Sequence, residues 1–328
     1  MVKRIDEFVS ENRTNIKKID ATFVPVSGQG TQNLTFSNNE IAVTIGIEVS
    51  TRSLNDSLIS GHPNGDVHGS GQGVSADQRG SWNTETSSVQ SEDFTQDGRD
   101  SVAESLAGSE TAFLRETAVG TGTSTAVPTD TALDSETDRT FAWAYEGNNP
   151  NETVSESYFL FAEYGDQVTE YGVYSGDGKL FNRVTTADID PTLEEELQVK
   201  TTFAIEGDGV GNSAFTDDGE EVVARTLRDS QIVGIQKIAF GDGAVLPQES
   251  DTSLVNELFA KTAQRNLGPE SVTAQTVVFS GEPAGQPVDV AEIGVFDNND
   301  NLLWRIIIED FEKNEDVEFD TFVTFRVK

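Results

Sequence analysis

Alternation of apolar and polar residues with a period of two dominates this chain. Ile41, Val43, Ile45, Ile47 and Val49 alternate with Ala42, Thr44, Gly46, Glu48 and Ser50. Leu197, Val199, Thr201, Phe203 and Ile205 share one face of a second run, and Val317, Phe319, Thr321, Val323, Phe325 and Val327 share one face of a third. This period puts successive side chains on opposite faces of a sheet, so each run predicts a half-buried strand. Residues 20–50 read as strands, and further strands are predicted over 158–161 and 272–279. Helical spacing is confined to Ser101–Leu106, Glu220–Leu227 and a partial pattern over residues 4–20 carried by Ile5, Phe8, Val9, Ile16 and Ile19.

The same elements occur twice. Asp97-Gly98, Leu106, Ala118, Gly120, Gly122, Asp130-Thr131, Leu133 and Glu136 recur 121 residues later as Asp218-Gly219, Leu227, Ala239, Gly241, Gly243, Asp251-Thr252, Leu254 and Glu257. Beyond these the offset becomes 122, and Glu170, Gly172, Val173, Leu180 and Arg183 reappear as Glu292, Gly294, Val295, Leu302 and Arg305. A period this long exceeds the roughly 20–50 residues of solenoid units and marks a duplicated module. Each copy reads as a short helix, a strand running into a Gly-x-Gly turn, a helix capped by Asp130 or Asp251, and a strand. A Glu-x-Gly-Val-aromatic strand, a tight turn and a strand ending in Arg183 or Arg305 follow. The predicted fold class is mainly β: tandem antiparallel β-sandwich-like modules, each with one or two short helices. Glu136 and Glu257 are expected on helices, so a buried Glu–Arg pair within each module is expected, with Glu170 and Glu292 as rival partners of Arg183 and Arg305.

The organisation that follows is a docking region with strands over 1–50, a linker or long loop over 51–96, module copies over 97–207 and 218–328, and a joint over 208–217. The 51–96 stretch is rich in Ser, Gly, Thr, Asn, Asp and Gln and has hardly any large apolar residue to offset its ordering entropy.

Charge changes the picture next. The 328 residues carry 57 acidic against 22 basic side chains, a net charge of −35, and only 35% are hydrophobic. A compact body with that charge repels itself unless salt screens it, which points to a halophilic, haloarchaeal setting. Phosphate would be repelled, so no nucleic-acid partner is expected. Cysteine is absent, which excludes disulfides and thiolate metal sites. No signal peptide and no run of 18 apolar residues is found, so no membrane partner is expected, and synthesis in a host cytoplasm is.

Four ordered motifs carry a resemblance: Ala-Val-Gly-Thr-Gly (118–122), Asp-Thr-Ala-Leu-Asp-Ser-Glu (130–136), Glu-Tyr-Gly-Val-Tyr (170–174) and Leu-Phe-Asn-Arg (180–183), with Ala-Phe-Gly-Asp-Gly (239–243), Asp-Thr-Ser-Leu-Val-Asn-Glu (251–257), Glu-Ile-Gly-Val-Phe (292–296) and Leu-Leu-Trp-Arg (302–305) as their second copies. The set resembles the phage tail-collar fibre domain. Copy two is the closer match; Ser135 and Tyr174 of copy one stand where the family has Asn and Phe. The resemblance implies a structural virion protein of a halophilic tailed virus, a tail-fibre or baseplate adaptor in contact with other tail, baseplate or collar proteins. A homo-oligomer is expected, because tails are built on rotational axes. Since the sequence stops with copy two, no distal receptor-binding fibre is expected to follow. The rival reading is a spike that binds a host-surface glycan or S-layer, or a capsid turret or decoration protein. Its signature would be exposed aromatics in one copy that the other lacks; Trp82, Trp143 and Trp304 differ between copies, with Trp304 expected in the core.

No enzyme is expected, since no nucleophile or convergent acid–base set stands out and charge pairs mostly hold architecture. The Gly-x-Gly turns lack the following Lys and close helix of a phosphate loop. His62, Asp66 and His68 are the candidate metal ligands, in a stretch without an obvious fourth ligand, and no metal or other cofactor is expected there. Acidic turns such as Asp297-Asn298-Asn299-Asp300 could take Ca²⁺, Na⁺ or K⁺ from brine, although the Asp-x-Asp-x-Asp-Gly pattern is missing. Four Asn-x-Ser/Thr sequons, at Asn12, Asn33, Asn55 and Asn151, are at chance frequency in so Ser/Thr-rich a chain.

Overall fold

The computed structural model describes residues 32–53, 83–90, 94–160, 167–189, 195–207, 213–229, 233–285 and 287–328. Among these are seventeen strands and two helices. Ahead of the first copy come β1 (Gln32–Ser53) and β2 (Asn83–Gln90). Copy one contains α1 (Gln96–Leu106), β3 (Leu114–Gly120), β4 (Glu136–Phe141), β5 (Trp143–Glu146), β6 (Glu152–Leu160), β7 (Val168–Ser175), β8 (Leu180–Ile189) and β9 (Glu195–Gly207). After β10 (Ser213–Phe215), copy two repeats the order: α2 (Asp217–Arg228), β11 (Ile235–Gly241), β12 (Glu257–Thr262), β13 (Gln264–Gly268), β14 (Ser271–Val278), β15 (Val288–Asp297), β16 (Leu302–Lys313) and β17 (Phe319–Val327). The expected mainly β, sandwich-like class is what forms.

Each copy splits its strands between two layers. Strands β4-β3-β7-β8 form a small sheet in copy one, and β12-β11-β15-β16-β10 the matching sheet in copy two. The remaining strands join one large sheet in the order β13-β14-β17-β1-β9-β6-β5, with β2 also paired to β1. Equivalent strands therefore sit at mirrored positions about β1. Because β1 runs parallel to β17 and antiparallel to β9, the two copies are arranged as a two-fold axis through β1 would place them. In each copy one chain segment turns the corner between layers at a buried alanine: Ala142, whose N–H donates to the Arg115 carbonyl (2.7 Å), and Ala263, whose N–H donates to that of Gln236 (2.9 Å).

The helices cross over. α1 packs on β14 and β17 of copy two as well as on β8, and α2 on β5, β6 and β9 of copy one as well as on β16. Polar contacts follow the same exchange. Arg99 Nε lies 3.0 Å from Glu270 Oε1, Arg228 reaches Glu146 at 3.1 Å, and Glu220 accepts from the Gly207 N–H (2.9 Å) and the Asn151 side chain (3.1 Å). One continuous apolar core results, with Ile45, Val49, Phe94, Phe203 and Ile205 in the same cluster as Phe215, Phe240, Trp304, Phe319 and Phe325. The boundaries at 97–207 and 218–328 thus delimit the repeats, while the core runs across them.

Several sequence expectations need correction. Within the expected 51–96 linker, Asn83–Gln90 is a strand, Phe94 is buried and bridges Asn182, and α1 starts at Gln96. Its polar composition conceals the strand because β1 supplies the pairing. Within the expected 208–217 joint, β10 forms and α2 begins. No helix follows the Gly-x-Gly turns. Residues 121–135 and 242–256 are non-helical loops, since Pro128 and Pro247 and the lack of an apolar stripe disfavour helix and the backbone N–H groups find a side-chain acceptor instead. Glu136 and Glu257 accordingly open β4 and β12. Arg183 and Arg305 lie near the starts of their strands, and Val317 precedes β17. The partial helix over 4–20, the strands before residue 32, Trp82 and the candidate ligands His62, Asp66 and His68 lie outside the described residues.

Candidate functional site: a duplicated buried carboxylate–guanidinium latch

The repeated signature residues converge on one arrangement in each copy. In copy one, Glu170 on β7 and Arg183 on the adjacent strand β8 are both buried. Arg183 donates from Nε to Glu170 Oε2 (2.9 Å) and from Nη1 to Asp130 Oδ2 (2.9 Å), and its Nη2 lies 2.9 Å from Asp134 Oδ2. Glu170 also accepts three backbone N–H groups: Gly122 (2.9 Å) and Ser135 (2.7 Å) on Oε1, and Asp134 (3.0 Å) on Oε2. A buried carboxylate costs several kcal/mol unless paired and hydrogen-bonded, and here every oxygen has partners. Arg183 is held more firmly protonated than an ordinary guanidinium; burial opposes this, and the bonds to Asp130 and Glu170 outweigh it.

Copy two repeats the geometry. Arg305 Nε reaches Glu292 Oε2 (2.9 Å), Nη1 reaches Asp251 Oδ2 (2.7 Å) and Nη2 reaches the Val245 carbonyl (2.9 Å). Glu292 accepts from Gly243 (3.2 Å), Asn256 (3.0 Å) and Val255 (3.2 Å). Of the two expected partners for each arginine, Glu170 and Glu292 therefore make the pair, while Glu136 bonds Arg139 instead (2.9 Å).

Asp130 and Asp251 have the acceptor role expected of a cap but close turns, accepting from Val127 and Gln248 (both 2.9 Å). The Gly-x-Gly turns follow from the carboxylate's approach: a Cβ on Gly122 or Gly243 would lie 2.3 or 2.5 Å from the glutamate Oε1. Gly120 and Gly241 carry the chain past Ser135 and Asn256, and Gly172 and Gly294 leave room for Leu133 and Leu254. Those leucines anchor small satellite cores, Ala118–Leu133–Tyr174–Leu180 and Ala239–Leu254–Phe296–Leu302. The latch thus ties a loop of about fifteen residues to the small sheet at its start, its middle and its end.

Sequence reasoning did not single out Ser124, Asp134 or the helix caps Thr95 and Thr216. Ser124 donates to Asp134 and accepts from Arg183 Nη2 (3.2 Å). Thr95 accepts from the Gly98 N–H (3.1 Å) and donates to the Leu180 carbonyl; Thr216 does the same with Gly219 (3.0 Å) and Leu302. The recurring Thr-x-Asp-Gly at 95–98 and 216–219 was the available signal.

Other buried carboxylates serve the backbone in the same way. Asp297, in the turn considered for a cation, accepts from the Asn299 and Asn301 N–H groups (both 2.8 Å) and from the Asn301 side chain (2.8 Å). Asn151, one of the sequons, spends its amide on the Ile205 carbonyl (2.8 Å) and Glu220. Among the described residues no cluster of three or more His, Asp or Glu side chains is arranged to hold a metal ion, and no helix is long and apolar enough to cross a membrane.

No family model matches the chain, and neither any curated protein nor any solved structure matches it.

Proposed function

We propose that this is a structural virion protein of a halophilic tailed virus, a tail-fibre or baseplate adaptor that assembles through protein–protein contacts and performs no catalysis. The observation that carries the reading is what the latches hold up. The loops they fix carry exposed apolar side chains: Val127 in copy one, and Val245, Leu246 and Val255 in copy two, the last three more than half exposed. Isolated exposed apolar residues are ordinary, but three on one tied loop offer a contact surface on a strongly acidic protein. Further support comes from the way the resembling motifs are used. Their Gly, Glu, Asp and Arg residues are consumed in fixing backbone, leaving no side chain poised for a reaction.

In this reading the acidic surface keeps the protein soluble in brine, where salt screens its self-repulsion, and apolar loop tips and strand edges make the contacts to neighbouring tail proteins. The test is immunogold labelling of intact particles from a halophilic culture with antibody raised against residues 218–328. Gold at the tail tip or neck is expected. Gold on the head would replace the adaptor reading with a decoration protein, and label confined to uninfected cells would end the viral reading.

A further inference from the structure

The duplication supplies an internal control for every surface residue. Where the copies share a scaffold and differ in side chains, the fold itself does not require the difference. One such difference lies at the β4–β5 corner, at one end of the large sheet. Trp143 and Tyr145 on β5 stand 56% and 39% exposed there, beside Phe141, the last residue of β4, at 49%. Trp143 meets the Phe141 ring edge-on (centroids 5.5 Å apart) and the Tyr158 ring at 6.0 Å. Their counterparts in copy two are Thr262, Gln264 and Asn266, and the same place on that copy is a shallow hollow of about 160 Å³. Trp304, in contrast, is fully buried, as expected for a core residue.

Polar groups are set beside the rings. Trp143 lies opposite Glu156 across the β5–β6 ladder, and Glu156 opposite Lys200 across β6–β9. The Glu156 carboxylate accepts from the Tyr145 hydroxyl (2.7 Å), the Tyr158 hydroxyl and the Gln198 amide. Burial raises the Glu156 carboxyl, but these three donors and Lys200 outweigh it and hold it below the ordinary range, so it stays ionised. The result is a more than half-exposed indole next to a fixed array of hydroxyl, amide and carboxylate groups.

We infer that this face of copy one is a binding site for a neutral saccharide, with Trp143 stacking on the apolar C–H face of a sugar ring and the Tyr145–Glu156–Tyr158–Gln198 array bonding its hydroxyl rim. A pyranose has that combination, one apolar face edged by donors and acceptors. An acidic ligand or nucleic acid is disfavoured by Glu156 and by the net charge of −35. An extended peptide adding to the sheet would need a longer edge than the four residues of β5. The site goes beyond the adaptor reading and stands whether or not the protein sits in a tail.

The test is titration of the full chain, in molar salt, with short soluble oligosaccharides of glucose, mannose, galactose and N-acetylglucosamine, followed by tryptophan emission and calorimetry. Trp143→Gln and Tyr158→Val install residues that copy two has at the same sheet positions, so both variants keep a scaffold the chain already folds. At least one sugar series is expected to shift the emission saturably, with Trp143→Gln weakening association about tenfold, the size of one lost aromatic contact. Absence of saturable binding in all four series overturns the inference, as does equal binding by Trp143→Gln. Self-association that sediments away in wild type and vanishes in Trp143→Gln, without sugar binding, overturns it in favour of a contact between copies of this chain.

Discussion

Replacing Arg305 by methionine tests whether the buried latch carries stability. Methionine keeps most of the apolar stem and deletes the guanidinium. Glu292, fully buried, would lose its bonds from Nε (2.9 Å) and Nη2 (2.8 Å), and Asp251 its bond from Nη1 (2.7 Å). Three backbone N–H groups would still hold Glu292, and Asp251, a quarter exposed, would turn to water. Breaking one side of a buried pair costs about 3–5 kcal/mol. The surviving donors put this case at the lower end, about 3 kcal/mol. Since the core is continuous across both copies, the loss should appear as one cooperative shift, about 6–12 °C at the 2–4 °C per kcal/mol usual for domains of about 150–250 residues. Thermal melts by circular dichroism in molar salt, run with Glu292→Gln/Arg305→Met alongside, make the assay. The double variant, which buries no unpaired charge, should melt above Arg305→Met. A single-variant loss below about 1 kcal/mol, the range of an exposed surface pair, would show that the carboxylate relaxes without the arginine and would refute the reasoning.

Three further outcomes are expected. Gly219→Ala should destabilise more than Gly98→Ala, because its Cβ would meet the Leu303 carbonyl oxygen at 2.5 Å whereas that of Gly98 meets first the movable Phe94 ring at 2.6 Å; overpacking of this kind costs about 1–3 kcal/mol, and urea midpoints in the reverse order would count against it. Burial raises the Glu220 carboxyl from 4.5 to about 7, with Glu249 and Asp217 adding to the rise against the Gly207 and Asn151 donors. The folded state therefore keeps a proton that the unfolded chain has released, so this residue's contribution to stability falls as pH rises from 4.5 to about 7; Glu220→Gln should flatten the urea midpoint across that window, and parallel curves for variant and wild type would sink the assignment. Finally, dilution from molar to millimolar salt should unfold the protein, given its charge of −35, and an unchanged circular-dichroism spectrum would contradict the halophilic reading.

What the sequence could disclose was set by the range of each interaction. Alternation along Ile41–Val49 and Leu197–Ile205 is local, and those strands were legible. The duplication exposed Gly122, Glu170 and Arg183 with their counterparts as a set, but a repeat says which residues matter together and not which touch. Choosing Glu170 over Glu136 required knowing that β7 and β8 are neighbours. Asp130 misled because the bond that caps a helix and the bond that closes a turn use the same acceptor on a nearby N–H; only the fate of the following backbone distinguishes them. The crossing of α1 onto β14 and β17 leaves no periodic trace, so the interleaving of the copies was not legible. Asn83–Gln90 has almost none of the apolar alternation that marks a strand, and its state is decided by β1. Trp143 was legible as a difference between the copies, and comparing Phe141, Trp143 and Tyr145 with Thr262, Gln264 and Asn266 extends that difference to three alternating positions.

The place of β1 has a kinetic consequence. Its N-terminal half pairs with β17, so Ile41 lies beside Val327, and Lys328 donates to the Ile41 carbonyl at 2.8 Å. The strand that separates the copies precedes both of them in sequence, and its partner is the last strand of the second copy. The large sheet therefore closes only when segments about 285 residues apart have met. Closure over so long a loop is slow, and the half-built sheet displays bare strand edges while it waits. Two copies of a module in one chain therefore behave, during synthesis, as a single late event.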